Sequence, residues 1–177
     1  MGFDKLARPL DGVPLARRLA LALADLEPLV VTTPAVAEVL RDLPGVRTVM
    51  TLPTAGPAAT LHLANLEVRP DLALAVVPGD LPFLDAARVR AFLARVPPDA
   101  DLCWPVVGGV PGHPVVWSPA ARARIPAIPA DANPVVVRRD QTLRAVALEE
   151  DDGAYVRDVD TPDAWAAAED ELRRARR

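Results

Sequence analysis

Cysteine is nearly absent from this sequence. Cys103 is the only one, so no internal disulfide can form, and with only two histidines, His62 and His113, no Cys/His set has the spacing of a zinc site. Serine is equally scarce: Ser118 stands alone and precedes Pro119, which leaves no Ser-His-Asp signature for acyl chemistry. Aromatic residues make up 4% of the chain, and Trp104, Trp117 and Trp165 are too scattered to form a base-stacking platform. Long apolar runs are missing as well. Pro, Asp or Arg interrupts each candidate before the ~18 residues a membrane span needs. There is no excess of positive charge: the net charge is −4 and the pI about 5.2, which disfavours a nucleic-acid binder held by a broad basic face. The N-terminus, MGFDKLARPLDG, is charged from the start and has no apolar export segment, and Leu6 stands where a myristoylation signal wants Ser or Thr. The expectation is a soluble cytoplasmic protein with no nucleic-acid or membrane partner.

What is present points to a folded domain. Of 177 residues, 51% are hydrophobic and 25% charged, which excludes an intrinsically disordered chain. Prolines and glycines number 20 and 9, well short of the roughly 25–30% that marks low-complexity sequence. They punctuate elements instead. The length suits a single domain over residues 1–177. The basic residues are also lopsided, with Lys5 the only lysine among twenty Lys and Arg. A lysine is a compact, mobile point charge suited to a phosphate, unlike the planar guanidinium.

Short apolar runs alternate with helical stretches. Residues 15–26, LARRLALALADL, read as a helix with Pro14 suited to its start. Strand-like runs follow at 28–32, 46–50, 72–77, 102–107, 115–117 and 142–148, with a short one at 154–156. Helices are expected at 34–40, 58–66, 85–96, after Ser118, and after Thr161. The run LALAVV at 72–77 is apolar on both faces, as a central parallel strand covered by helices should be. Strands alternating with helices in short units indicate an α/β sheet with helices on both faces.

In open α/β sheets ligands gather outside the carboxyl ends of the strands. Asp80, three residues past Val77 in the turn Pro78-Gly79-Asp80-Leu81-Pro82, is therefore a candidate ligand for Mg²⁺, or else a loop residue capping the next helix. Asp158 and Asp160 share a side if extended, which makes a second metal ligand conceivable, although Asp160 or Thr161 as an N-cap before Pro162 explains that cluster without metal. His113, held between Gly112 and Pro114, either meets an acceptor or anchors the backbone. Cys103 reads as a small packed hydrophobe and His62 as a polar structural residue within a helix.

Taken in order, these segments resemble the MobA-like nucleotidyltransferases, which attach a nucleoside monophosphate to molybdenum cofactor. Met1-Gly2-Phe3-Asp4-Lys5 is similar to the end of the family's glycine-rich loop, and Gly12-Val13-Pro14-Leu15 to its step into the first long helix. Gly56-Pro57 is similar to the turn near the nucleobase, and Gly79-Asp80-Leu81-Pro82-Phe83-Leu84 to the segment whose aspartate binds Mg²⁺. Gly112-His113-Pro114-Val115 and Asp158-Val159-Asp160-Thr161-Pro162-Asp163 resemble segments of the cytidylyl-transferring branch. The resemblance implies a three-layer, Rossmann-like nucleotidyltransferase fold with a mostly parallel sheet. It implies Lys5 and Asp80 as catalytic residues, with Lys5, Gly56, Pro57 and Asp80 around the nucleotide. Asp80, with Asp160 or Asp158, would hold Mg²⁺, and His113 would meet the acceptor. The implied reaction moves NMP from GTP or CTP to a phosphorylated acceptor, molybdopterin above all, and releases pyrophosphate. A sugar-phosphate or other small-phosphate acceptor, or a non-catalytic nucleotide-binding paralogue, are the alternatives. The family's first strand and its Leu-Ala-Gly-Gly-x-Ser-x-Arg loop have no counterpart before Met1. A strand layer that is gapped, or repaired by other means, is therefore expected, along with a natural start upstream of Met1. Ala58-Ala59 also departs from the guanylyl branch and leaves the base open.

Overall fold

Leu15, Ala16, Leu19 and Ala20 are all buried, an i, i+1, i+4, i+5 stripe that gives the first helix one face for each of two neighbours. The computed structural model describes residues 5–53 and 56–176. Its strands are β1 (Pro9–Leu10), β2 (Val13–Pro14), β3 (Leu29–Thr32), β4 (Arg47–Met50), β5 (Leu74–Val76), β6 (Leu102–Val107), β7 (Val110–Pro111), β8 (Val115–Trp117) and β9 (Ala145–Glu149). Its helices are α1 (Leu15–Ala22), α2 (Pro34–Leu40), α3 (Pro57–Glu67), α4 (Ala86–Leu93), α5 (Pro119–Arg122) and α6 (Pro162–Ala175). Prolines open α2, α3, α5 and α6 at their first turns, where a missing N–H costs nothing. Asp85, Ser118 and Thr161 cap α4, α5 and α6 by accepting from Arg88 N, Ala121 N and Ala164 N.

The main sheet runs β5-β8-β6, with β7 and β9 also on β6. β8 is antiparallel to both β5 and β6, and β9 is parallel to β6, so β5, β6 and β9 share one direction. This is the three-layer α/β arrangement expected. Alternation along β6 shows the layers directly. Cys103 joins Leu19, Leu23, Val89, Phe92 and Val116 under α1 and α4, whereas Leu102 joins Ala58, Leu61, Val115 and Trp117 under α3. Cys103 is packed as a hydrophobe.

The strand layer is in two pieces. β3 pairs in parallel with β4 alone, and β5 pairs with β8 alone, among the described residues. Helices span the division: Ala16 and Ala20 of α1 pack with Val30 while Leu19 reaches the main sheet, and α3 touches β3 while its Leu61 packs with Leu74 and Val76. The run at 72–77, expected as a fully buried strand, is shorter and wetter. Only Leu74–Val76 is strand, Ala75 is exposed, and Leu72 keeps 47% of its surface. A strand with one unpaired edge lacks the neighbour that would cover it. Residues 154–156 depart too, forming a 3-10 turn at Gly153–Tyr155, because the Asp152 side chain accepts from Ala154 N and turns the backbone.

Candidate functional site

Three chain segments converge at the carboxyl end of β5. The first is the short turn Lys5–Ala7, whose Leu6 side chain lies directly against Gly79. A Cβ on Gly79 would come within 3.0 Å of Leu6 Cδ1, so the absent side chain is what lets the Lys5 turn settle on the Asp80 turn. The second is the Gly79-Asp80 turn itself. The third is residues 158–160, where Val159 is buried against Leu10, Leu15 and Trp165. With Val159 turned inward, Asp158 and Asp160 both project to the other side.

Lys5 Nζ donates to Asp80 Oδ2 at 2.7 Å and also to Asp160 Oδ1. One ammonium thus bridges two carboxylates that lie eighty residues apart in sequence. Burial opposes the Lys5 charge, but the hydrogen bonds and charges of Asp160 and Asp80 outweigh it and hold the pKa above the ordinary 10.5. Asp80 caps no helix, since that task belongs to Asp85. Asp160 caps none either, because Thr161 does so.

A cavity of about 280 Å³ opens beside this cluster, lined by Asp80, Asp158, His113, Tyr155, Pro78 and Gly112 among others. Its wall is tightly fitted: His113 N donates to Tyr155 O at 2.9 Å, and a Cβ on Gly112 would run into that same carbonyl. We expect Gly112→Ala to cost about 1–3 kcal/mol, the usual range for overpacking against backbone that cannot yield. Denaturant unfolding checks this, and a loss under about 0.5 kcal/mol would show that the wall gives way.

The His113 ring has one fixed end. Its Nδ1 lies 3.3 Å from Val76 O, and since a carbonyl only accepts, Nδ1 carries the proton and Nε2 keeps its lone pair. Burial lowers the His113 pKa, the Val76 carbonyl and Asp80 oppose this, and Arg138 adds to the lowering. The ring is therefore neutral at neutral pH.

Asp158 is shifted the other way. Burial, then the neighbouring Asp160 and Asp80, raise its pKa above the ordinary 3.8, with Lys5 opposing. The folded chain thus holds this proton more tightly than the unfolded one, so stability falls as pH rises from 3.8 through the raised value. Asp158→Asn removes that fall. The variant should match the wild type near pH 3 and exceed it near pH 7, by under about 1 kcal/mol because this carboxylate is partly in water. Thermal unfolding at the two pH values is the measurement, and a less stable variant near pH 7 would contradict the assignment.

The structure brings Lys5, Asp80, Asp158, Asp160 and His113 to one place. Gly56 and Pro57 do not line this cavity. Gly56 sits before α3 and packs under Ala130 O. Met1 to Asp4 of the first motif lie outside the described residues. His62 lies on α3, away from the cavity lining. Arg138 was not anticipated. Its guanidinium stacks on Trp104, 4.0 Å from the ring centroid, close enough to His113 to act on its charge.

The donor chemistry suits a hard divalent cation. Mg²⁺ and Mn²⁺ take oxygen ligands, and Mg²⁺ typically uses one or two carboxylates plus substrate phosphates. Among the described residues no set of three or more His, Cys, Asp or Glu is arranged to hold a metal alone. The Lys5 ammonium already stands as a cation between two of the carboxylates, so positive charge belongs at this spot.

A family model described as MobA-like NTP transferase domain matches residues 1–152. Among curated proteins, none matches the chain in sequence. Several solved structures share its fold. The homologue of Mycobacterium tuberculosis Rv0371c from Mycobacterium sp. strain JC1 is 22% identical with a TM-score of 0.78, over 99% of this chain and 91% of that one. Molybdopterin-guanine dinucleotide biosynthesis protein A from Archaeoglobus fulgidus is 16% identical with a TM-score of 0.74, over 98% and 92%. Rv0371c from Mycobacterium tuberculosis, solved in complex with manganese, is 17% identical with a TM-score of 0.71, over 96% and 93%.

Proposed function

The chain belongs to the MobA-like NTP transferase family, and from that premise we propose that it moves a nucleoside monophosphate from GTP or CTP to a phosphorylated acceptor, most simply molybdopterin. The observation that carries this reading is the Lys5 ammonium bridging Asp80 and Asp160 at the rim of a cavity shared with Asp158 and His113. Asp80 and Asp160 are the residues that would hold Mg²⁺, with Asp158 beside them. When bound, such a cation neutralises triphosphate charge and stabilises the leaving pyrophosphate. A manganese-bound structure of the same fold is consistent with a divalent ion here.

The protein's own part is positioning and charge. Lys5 faces the phosphates, and a phosphate oxygen of the acceptor forms the new bond to the α-phosphorus as the α–β bridge breaks and pyrophosphate departs. Transfer of this kind asks for no protein nucleophile, which agrees with a lone serine ahead of proline and a buried cysteine. His113 Nε2, the ring nitrogen that carries no proton, can accept a hydrogen bond from the acceptor.

The test is Mg²⁺-dependent pyrophosphate release with GTP and CTP, each offered molybdopterin or a panel of sugar phosphates. Release with one pairing above all others supports the reading. No release with any pairing, together with nucleotide binding, would leave a nucleotide-binding module. Lys5→Ala should raise the KM for the nucleotide about tenfold or more while changing that for the acceptor far less, because a charge-assisted phosphate contact is lost on one substrate only. Equal rises in both constants would remove Lys5 from its phosphate role.

A further inference from the structure

Around the cavity lined by Asp80, Asp158 and His113, most hydrogen-bond donors are already spent. The backbone N–H groups of Gly112, His113, Tyr155, Val156 and Asp158 all donate to backbone carbonyls, and the two prolines in the wall have none to give. The side-chain donors are committed as well, His113 Nδ1 to Val76 O and the Tyr155 hydroxyl to Arg88 O at 2.9 Å. Acceptors remain. His113 Nε2 keeps its lone pair, and among the described residues the Asp158 carboxylate takes no hydrogen bond from the protein. Lys5 bridges Asp80 and Asp160 and leaves Asp158 aside. A hydroxyl placed here meets acceptors for its hydrogen but few donors for its oxygen, and an anion meets lone pairs. A nitrogen group that donates without accepting is satisfied on every side.

We propose that this cavity takes a planar, donor-only nitrogen group, an amidine or the N–H and amino edge of a ring, forked on the Asp158 carboxylate with a further N–H on His113 Nε2. In the transferase reading, on which this last assignment rests, that group is the end of the acceptor remote from its phosphate. Two parallel N–H···O bonds to one carboxylate fix orientation and are stronger than neutral pairs. Asp158 is crowded by the like charges of Asp160 and Asp80, a strain that a positive or donor-bearing partner relieves. Leu81, Val110 and Val156 supply apolar surface for the faces of a flat ring. The volume, about 280 Å³, is at the low end of small-molecule sites and suits one small ring system.

The experiment titrates the full chain calorimetrically, without divalent ions, using benzamidine, benzamide and benzoate: one ring bearing a donor-only, a mixed and an acceptor-only group. Benzamidine should bind at least about tenfold more tightly than benzamide, with benzoate weakest. Asp158→Asn should weaken benzamidine about tenfold. Asp151→Asn removes the same charge from an exposed carboxylate outside the lining and should change nothing, which separates the site from attraction to the net charge of −4. Benzamidine no tighter than benzamide, unchanged affinity in Asp158→Asn, or equal losses in both variants overturns the proposal. If the Asp158 variant fails to fold by circular dichroism, the wild-type ranking decides. A second arm adds benzamidine to the pyrophosphate-release assay. A raised KM for the acceptor alone supports the acceptor assignment, whereas competition with the nucleotide overturns it. Should no pairing release pyrophosphate, the transferase reading fails, and the first arm still decides what the cavity binds.

Discussion

Asp80→Asn should lower turnover roughly a thousandfold or more while leaving the melting temperature within a few degrees of the wild type. The two halves of this expectation have separate causes. In the proposed reaction, turnover depends on a full negative charge at the end of β5, where a carboxylate would help hold the cation that offsets triphosphate charge, and an amide offers only a neutral oxygen. Stability depends on what Asp80 contributes to the resting fold. That is one ion pair with Lys5, an ammonium 37% exposed, and a partly wetted pair contributes about 0–1 kcal/mol. Lys5 keeps Asp160 as a partner, and Asp158 loses one of the charges that raise its pKa, so the losses are offset further. Turnover and thermal unfolding measured on the same preparation decide the matter. Retained turnover with a large drop in melting temperature would make Asp80 a structural residue and remove the chemical reading with it.

The sequence made some elements plain because their signals are local. β6 and α2 lie at residues 102–107 and 34–40 as periodicity predicts, and Asp85, Ser118 and Thr161 act as caps because a short acceptor before a helix satisfies an exposed N–H wherever it occurs. Asp80, Asp158 and Asp160 were legible as carboxylates at chain positions where α/β folds keep their ligands. Local spacing could not show that Asp80 and Asp160 both meet Lys5, across 75 and 155 residues; only the family resemblance had put Lys5 with Asp80. Two arginines with distinctive surroundings were hidden by abundance. Among nineteen arginines, Arg138 follows a run of three valines and Arg122 ends a four-residue helix, and neither setting differs visibly from a solvated surface position. What distinguishes them is environment: one lies on an indole, the other inside the protein. The strand expected at 154–156 failed for the opposite reason. Its apolar pattern was real, but a side-chain hydrogen bond from Asp152 bent the backbone first.

Arg122→Met should destabilise the fold by about 3–5 kcal/mol, which for a domain of this length corresponds to a fall of roughly 10 °C in melting temperature. The side chain is 3% exposed, and every direction of its guanidinium is used. Nε donates to Asn65 Oδ1 at 2.8 Å, while the terminal nitrogens reach the carbonyls of Asn65, Val68, Arg69 and Leu72. These acceptors lie at and just beyond the carboxyl end of α3, where unpaired carbonyls and the helix dipole together favour a cation. Arg122 therefore closes the end of α3 and fixes the turn that feeds β5, so its effect extends to the strand that presents Asp80. Methionine fills a similar volume but supplies no donor, leaving four carbonyls and an amide oxygen without their partner in a buried place. Lysine should recover only part of the loss, since three donors on a flexible stem cannot reproduce a planar fork of five. Urea unfolding of both variants is the measurement. A methionine variant within about 1 kcal/mol of the wild type would mean that water enters and satisfies these groups, and that α3 ends securely without the arginine.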